Sequence, residues 1–174
     1  MSLLTSVPIF FIGESIIRKL GNGSECSSAN RCKATAKQTL NRVYYYALGQ
    51  ASVAIGYCTK SAQNSPENHT AWSNAGWAAI DNRDYGTAKS YFGKAEELFY
   101  ASKDKHTVTQ ELDLAWGITV AAYCAGDKKQ ARDLYRAIKK TYPDFVRMSS
   151  LKQLPLIWSD NTQVLITRVY LDFK

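Results

Sequence analysis

Ala71-Trp72-Ser73-Asn74-Ala75-Gly76-Trp77-Ala78-Ala79 is the stretch on which the fold turns. A polar break follows at Asn82-Arg83-Asp84, and then come Tyr85, Ala88, Tyr91-Phe92, Lys94-Ala95 and Leu98. Two apolar runs around a short polar break read as a helical hairpin. Ala88 and Ala95 are small, so two helix backbones can cross closely there. Trp72 and Phe92 are large and suit the wider gaps between one hairpin and the next. An amphipathic hairpin cannot bury its apolar face alone, so neighbouring hairpins must stack.

The order of these residues resembles the tetratricopeptide repeat, whose period is about 34 residues. Over residues 69–102, Trp72, Gly76, Tyr85, Ala88, Phe92 and Ala95 fall at the family's positions. Ala75, Ala79 and Tyr100 depart from it, standing where Leu, Tyr and Pro are usual. One period earlier, over 35–68, Tyr45, Gly49, Ala54 and Pro66 match, while Gln38 and Arg42 replace the leading Trp and Gly. A third register, 112–145, keeps Ala131, Tyr135 and Pro143, with Gly126-Asp127 as the turn and Ala115 and Thr119 in the Trp and Gly places. The first and third registers are degenerate. The stretch Lys103–Glu111 lies outside the period and reads as an extension of the second helix of the middle hairpin.

The resemblance spans residues 35–145 and implies an all-α fold: a right-handed superhelical array of about three hairpins. Residues 1–34 form an extension with an apolar segment and a cysteine-bearing loop. Residues 146–174 form a linker and a capping helix, Asn161 to Leu171, started by Ser159 or Asp160. Ser65-Pro66 reads as the N-cap and first position of the helix before Trp72. Gly49 and Gly126 stand where a helix must stop and turn, and Pro143 ends the last helix of the array.

Composition agrees with a packed helical chain. The 174 residues are 45% hydrophobic with only four prolines, ample for a core. The net charge is +7. It divides into about +4 over 1–68, about +2 over 69–143 and about +1 over the remainder. No run of like charge exceeds a pair such as Lys128-Lys129 or Lys139-Lys140, which reads as solvated helix surface. Leu3 to Ile17 is apolar, but Glu14 interrupts it and Arg18-Lys19 follow rather than precede it. It reads as a docking helix rather than a signal peptide or a membrane span.

Cys58 and Cys124 fall in apolar helical stretches and read as small hydrophobes. Cys26 and Cys32 flank a polar loop, and two readings stay open. A local disulfide implies an oxidising compartment; free thiols suit the cytoplasm, to which the lack of an evident signal peptide leans. Neither His69 nor His106 sits in a metal-ligand spacing, and both read as surface residues. No phosphate loop or nucleophile elbow occurs, and Glu96-Glu97 reads as outer helix surface. The expectation is a non-catalytic chain without cofactor or metal.

In this family the first helix of each hairpin lines the concave face. The resemblance therefore implies a peptide groove walled by Leu40, Val43 and Tyr46, then Asn74, Trp77 and Asp81, then Trp116, Val120 and Tyr123. Aromatic anchors suit a peptide or helix, and Asn74 suits a peptide backbone. The competing reading is intramolecular: Val7 to Ile17 or the C-terminal helix fills the groove, and Trp77 and Trp116 are core. Ser73 and Trp77 stand where a clamp for an acidic peptide terminus would need Lys and Asn, so that recognition is not expected. The leading expectation is a protein-interaction module: an adaptor, an assembly factor or a secretion-type chaperone. The alternatives are a basic helical-repeat nucleic-acid binder and a structural subunit of a larger complex or oligomer.

Overall fold

The computed structural model describes residues 51–103, 105–154 and 158–174. Leu40, Val43, Tyr46 and Gly49, expected in the first hairpin, lie outside them, as do Cys26, Cys32 and the stretch 7–17. Among the described residues the chain is all-α, without strands. The order is α1 (Ala51–Asn64), α2 (His69–Asp81), α3 (Tyr85–Ala101), α4 (Val108–Cys124), α5 (Lys128–Thr141), a short 3-10 turn (Pro143–Phe145), α6 (Met148–Leu151) and α7 (Asp160–Phe173).

Local chemistry accounts for most of the boundaries, because the first N–H groups of a helix have no partner within it. Asn68 Oδ1 accepts from Thr70 N–H (3.0 Å) and Ala71 N–H (3.3 Å) and starts α2. Asp84 and Asp127 do the same for α3 and α5, each accepting at 3.1 Å from the N–H three residues on. Thr107 and Gln110 form a reciprocal capping box at the start of α4. Ser159 starts α7 by accepting from Thr162 N–H at 3.0 Å. Ser65-Pro66, expected to cap α2, does not: Pro66 offers its carbonyl to the Trp72 indole instead (3.0 Å). The stretch after α3 also differs from expectation. Lys103–Glu111 does not lengthen α3, which stops at Ala101, but supplies a link and then the first turn of α4.

Consecutive helices pack on one another from α1 to α5, and α7 lies against α2, α4 and α5. Three-residue links, 82–84 and 125–127, join helices that pack together, so α2–α3 and α4–α5 are antiparallel pairs. The seam between α1 and α2 is built from Cys58, Ala62, Ala71, Ala75 and Ala78, all buried and small. Tyr91 ties α3 to α1 through a hydroxyl bond with Thr59 (3.2 Å). The main core joins α2 to α5 and α7 around Trp77, Phe92, Trp116, Tyr135, Ile166 and Val169.

Phe92 occupies the tightest place. Its ring lies between α2 and α4, against Gly76 on one side and Gly117 on the other. A Cβ at Gly76 would stand 2.8 Å from the ring, and one at Gly117 closer still, so both positions exclude even a methyl group. Ala88 and Ala95, one turn either side of Phe92, are fully buried, as close helix crossing requires.

Candidate functional site

Four of the residues expected to wall an open groove are instead core. Trp77 is 1% exposed, Trp116 and Val120 are 0%, and Asn74 is 6%. They cannot present themselves to a guest while the chain is packed this way. The C-terminal segment covers Trp77, whose ring lies 5.5 Å from that of Trp158, and Trp116 lies against Tyr135. The segment packs against α2 and α4 through α7, and Trp77 and Trp116 are core residues.

Two carboxylates receive that segment. Asp113, on α4, accepts three hydrogen bonds: Ser73 Oγ at 2.8 Å, Trp77 Nε1 at 3.0 Å and Trp158 Nε1 at 2.9 Å. The two indoles that share it lie 5.5 Å apart, centroid to centroid. Asp81, at the end of α2, accepts from Ser159 Oγ (2.5 Å), Asn161 Nδ2 (3.1 Å) and Thr162 Oγ1 (3.3 Å). Tyr123, half-buried on α4, donates its hydroxyl to Asp172. Of the expected groove residues, Asp81 and Tyr123 thus do meet a peptide segment, and it belongs to the same chain.

Asp113 was not singled out by sequence. The available signal was its place on the 113–116–120 stripe of α4, where Trp116 and Val120 are buried. An acid on an apolar stripe asks for buried donors, and two indoles and a hydroxyl supply them. Ionised carboxylates accept strongly, and two oxygens provide room for all three bonds.

The bond from Tyr123 to Asp172 pushes the phenol up to about 12, with burial and the Asp172 charge adding to it. A phenol raised in the folded state stabilises it fully below its unfolded value near 10 and ceases to do so as pH rises through about 12. Burial raises the Cys124 thiol, the opposite of nucleophile activation. Burial also raises Tyr135.

His69 and His106, read as surface residues, are brought together on Phe99. The His106 ring stacks on Phe99 at 3.6 Å, and His69 meets both rings edge-on at 5.1 and 5.3 Å. His106 Nε2 lies 2.8 Å from the Phe99 carbonyl, which can only accept, so that nitrogen carries the proton. The cluster closes the link between α3 and α4. Among the described residues no group of three or more His, Cys, Asp or Glu could hold a metal ion.

A concavity of about 320 Å³ opens between α3, α4 and α5. Phe99, Leu114, Ile118, Leu134 and Ile138 line it, with Glu96 and Glu111. No helix among the described residues is long and apolar enough to cross a membrane. No family model matches the chain, and no curated protein matches its sequence.

Proposed function

We propose that this chain is a non-catalytic protein-interaction module of the tetratricopeptide type. Its inner wall recognises the start of an aromatic-bearing helix, and its own C-terminal segment is the resident occupant. The observation that carries this reading is the pair of carboxylates, Asp113 and Asp81, spaced to take an indole and then a helix N-terminus rich in hydroxyl and amide donors. A partner would present the same chemistry as residues 158–162: a tryptophan followed by small polar residues opening a helix. It would engage by replacing the resident segment. Such an exchange suits an adaptor, an assembly factor or a secretion-type chaperone.

Two features support the repeat assignment. The α2–α3 and α4–α5 turns use matching backbone bonds, Asp84 N–H to Ala79 O and Asp127 N–H to Ala122 O, both 2.9–3.0 Å. The second helices also bury matching residues, Ala88 and Phe92 in one, Ala131 and Tyr135 in the other.

The test is a labelled peptide copying residues 158–174. Trp158→Ala removes the resident anchor, so that variant should bind the peptide measurably more tightly than the unaltered chain. Buried aromatic anchors typically contribute about 2 kcal/mol or more, roughly thirtyfold in affinity. Fluorescence anisotropy showing no binding to either chain would remove the proposal.

A further inference from the structure

Among the described residues the strongest charge feature is on α5, away from the Asp113 and Asp81 contacts. Its sequence, KKQARDLYRAIKKT, carries six cations and one acid. At about 100° per residue, Lys128, Lys129, Arg132, Arg136, Lys139 and Lys140 gather within an arc of roughly 120°. They run along about 18 Å of helix at about 1.5 Å per residue. All six are exposed, whereas Ala131, Tyr135 and Ile138, on the face beside the stripe, are buried. The pairs Lys128-Lys129 and Lys139-Lys140, separate in sequence, are therefore two ends of one stripe.

Fold stability accounts for this stripe only in part: Lys139 and Lys140 suit the C-terminal end of the helix dipole, and Lys128 and Arg132 lie over the Tyr123 and Phe173 rings. Lys128, Arg132, Arg136 and Lys140 follow one another at intervals of four, where like charges repel. Lys128 and Lys129 sit in the first turn, where the helix dipole disfavours cations. Only Arg136 has an acid partner among the described residues, Asp133 at 3.6 Å. The corresponding helix α3 builds an equivalent hairpin with two lysines and two glutamates, so the architecture does not require the charge.

We propose that the exposed face of α5 is a docking surface for the phosphodiester backbone of a nucleic-acid duplex, held without regard to base sequence. A duplex presents about one negative charge per 1.7 Å of axis, so 18 Å of helix lies beside roughly ten phosphates. The stripe offers no exposed aromatic platform on which an unpaired strand could stack. The nearby rings are covered by the stripe itself: Lys128 Nζ lies 3.0 Å from the Tyr123 centroid and Arg132 lies 5.4 Å from that of Phe173. A lipid surface fits less well. An interfacial helix inserts its apolar face, and here that face is the hairpin core. None of the large hydrophobic residues exposed among the described residues is on α5.

The test uses the whole chain and a short mixed-sequence DNA duplex. Five cations free of acid partners predict a log–log salt slope of about −4.5, so a fourfold rise in salt weakens binding by several hundred-fold. Lys129→Gln, Lys139→Gln and Lys140→Gln together should flatten that slope by about 2.7 while the helical signal is unchanged. Lys89→Gln with Lys94→Gln on α3 should leave binding as it was. The proposal is overturned by no retention of duplex at low salt, by equal loss in the α3 control, or by tighter binding of a single-stranded oligonucleotide. Retention on phosphatidylserine vesicles but not on duplex would overturn it in favour of a lipid surface.

Discussion

The hairpins α2–α3 and α4–α5 share a backbone plan and solve its tight points with different residues. Position 83 in one turn corresponds to position 126 in the other, and both adopt positive φ. Gly126 sits at 88°, which glycine tolerates freely, whereas Arg83 sits at 61°, which disfavours a side chain. The large ring on the second helix is Phe92 in one hairpin and Tyr135 in the other. Phe92 is covered by the next hairpin, whose Gly117 receives it. Tyr135 has no described hairpin beyond it, and Phe173 of α7 stands over it instead, 6.1 Å away. The ring of α2–α3 is thus covered by the next hairpin, and the ring of α4–α5 by α7.

Substitutions can break or sharpen that comparison. Phe92→Ala should have the largest effect, a loss of about 3–5 kcal/mol in urea unfolding, since it empties a site walled by two helices. Gly117→Ala comes next. The ring cannot retreat because Gly76 blocks the other side, so a loss of about 1–3 kcal/mol is expected. Adding Phe92→Leu to that variant should recover part of the loss, and strict additivity of the two would show that they do not share a site. In the turns the two hairpins should respond with opposite sign. Gly126→Ala should cost about 1–2 kcal/mol, while Arg83→Gly should gain at most about 1 kcal/mol, because glycine's looser unfolded chain offsets part of the relief. A thermal midpoint that falls for Arg83→Gly would show that the arginine side chain outweighs its backbone strain. The smallest effect belongs to Tyr135→Phe, which makes α4–α5 resemble α2–α3. The Tyr135 hydroxyl is buried without a partner, so its removal should change stability by less than about 0.5 kcal/mol or raise it slightly.

Much of the helical organisation was legible in sequence because it is local. The breaks at Asn82-Arg83-Asp84 and Gly126-Asp127, the small residues Ala88, Ala95 and Ala131 and the Ser159 cap all act within a few positions of themselves. Where local signals competed, the reading erred. Ser65-Pro66 reads as a start for α2, but Asn68 provides it, because its side chain reaches two orphan N–H groups. Lys103–Glu111 was read as helix, but Thr107 and Gln110 form a capping box that makes a new start there instead. The site around Asp113 was legible only in part. Trp77, Trp116 and Val120 were placed on one side of their helices, yet which neighbour covered that side could not be read from spacing.

Sequence alone determined that this chain makes amphipathic helical hairpins with small residues at crossings and rings in the gaps. Periodicity and capping are properties of adjacent residues, so they are written into the linear order. Only the tertiary structure decided that Trp77, Trp116 and Val120 are core, and that Asp113 gathers Ser73, Trp77 and Trp158 from 40, 36 and 45 residues away. It also merged two distant lysine pairs into one face of α5. Such meetings depend on where separate helices come to rest, and no local rule of spacing specifies them.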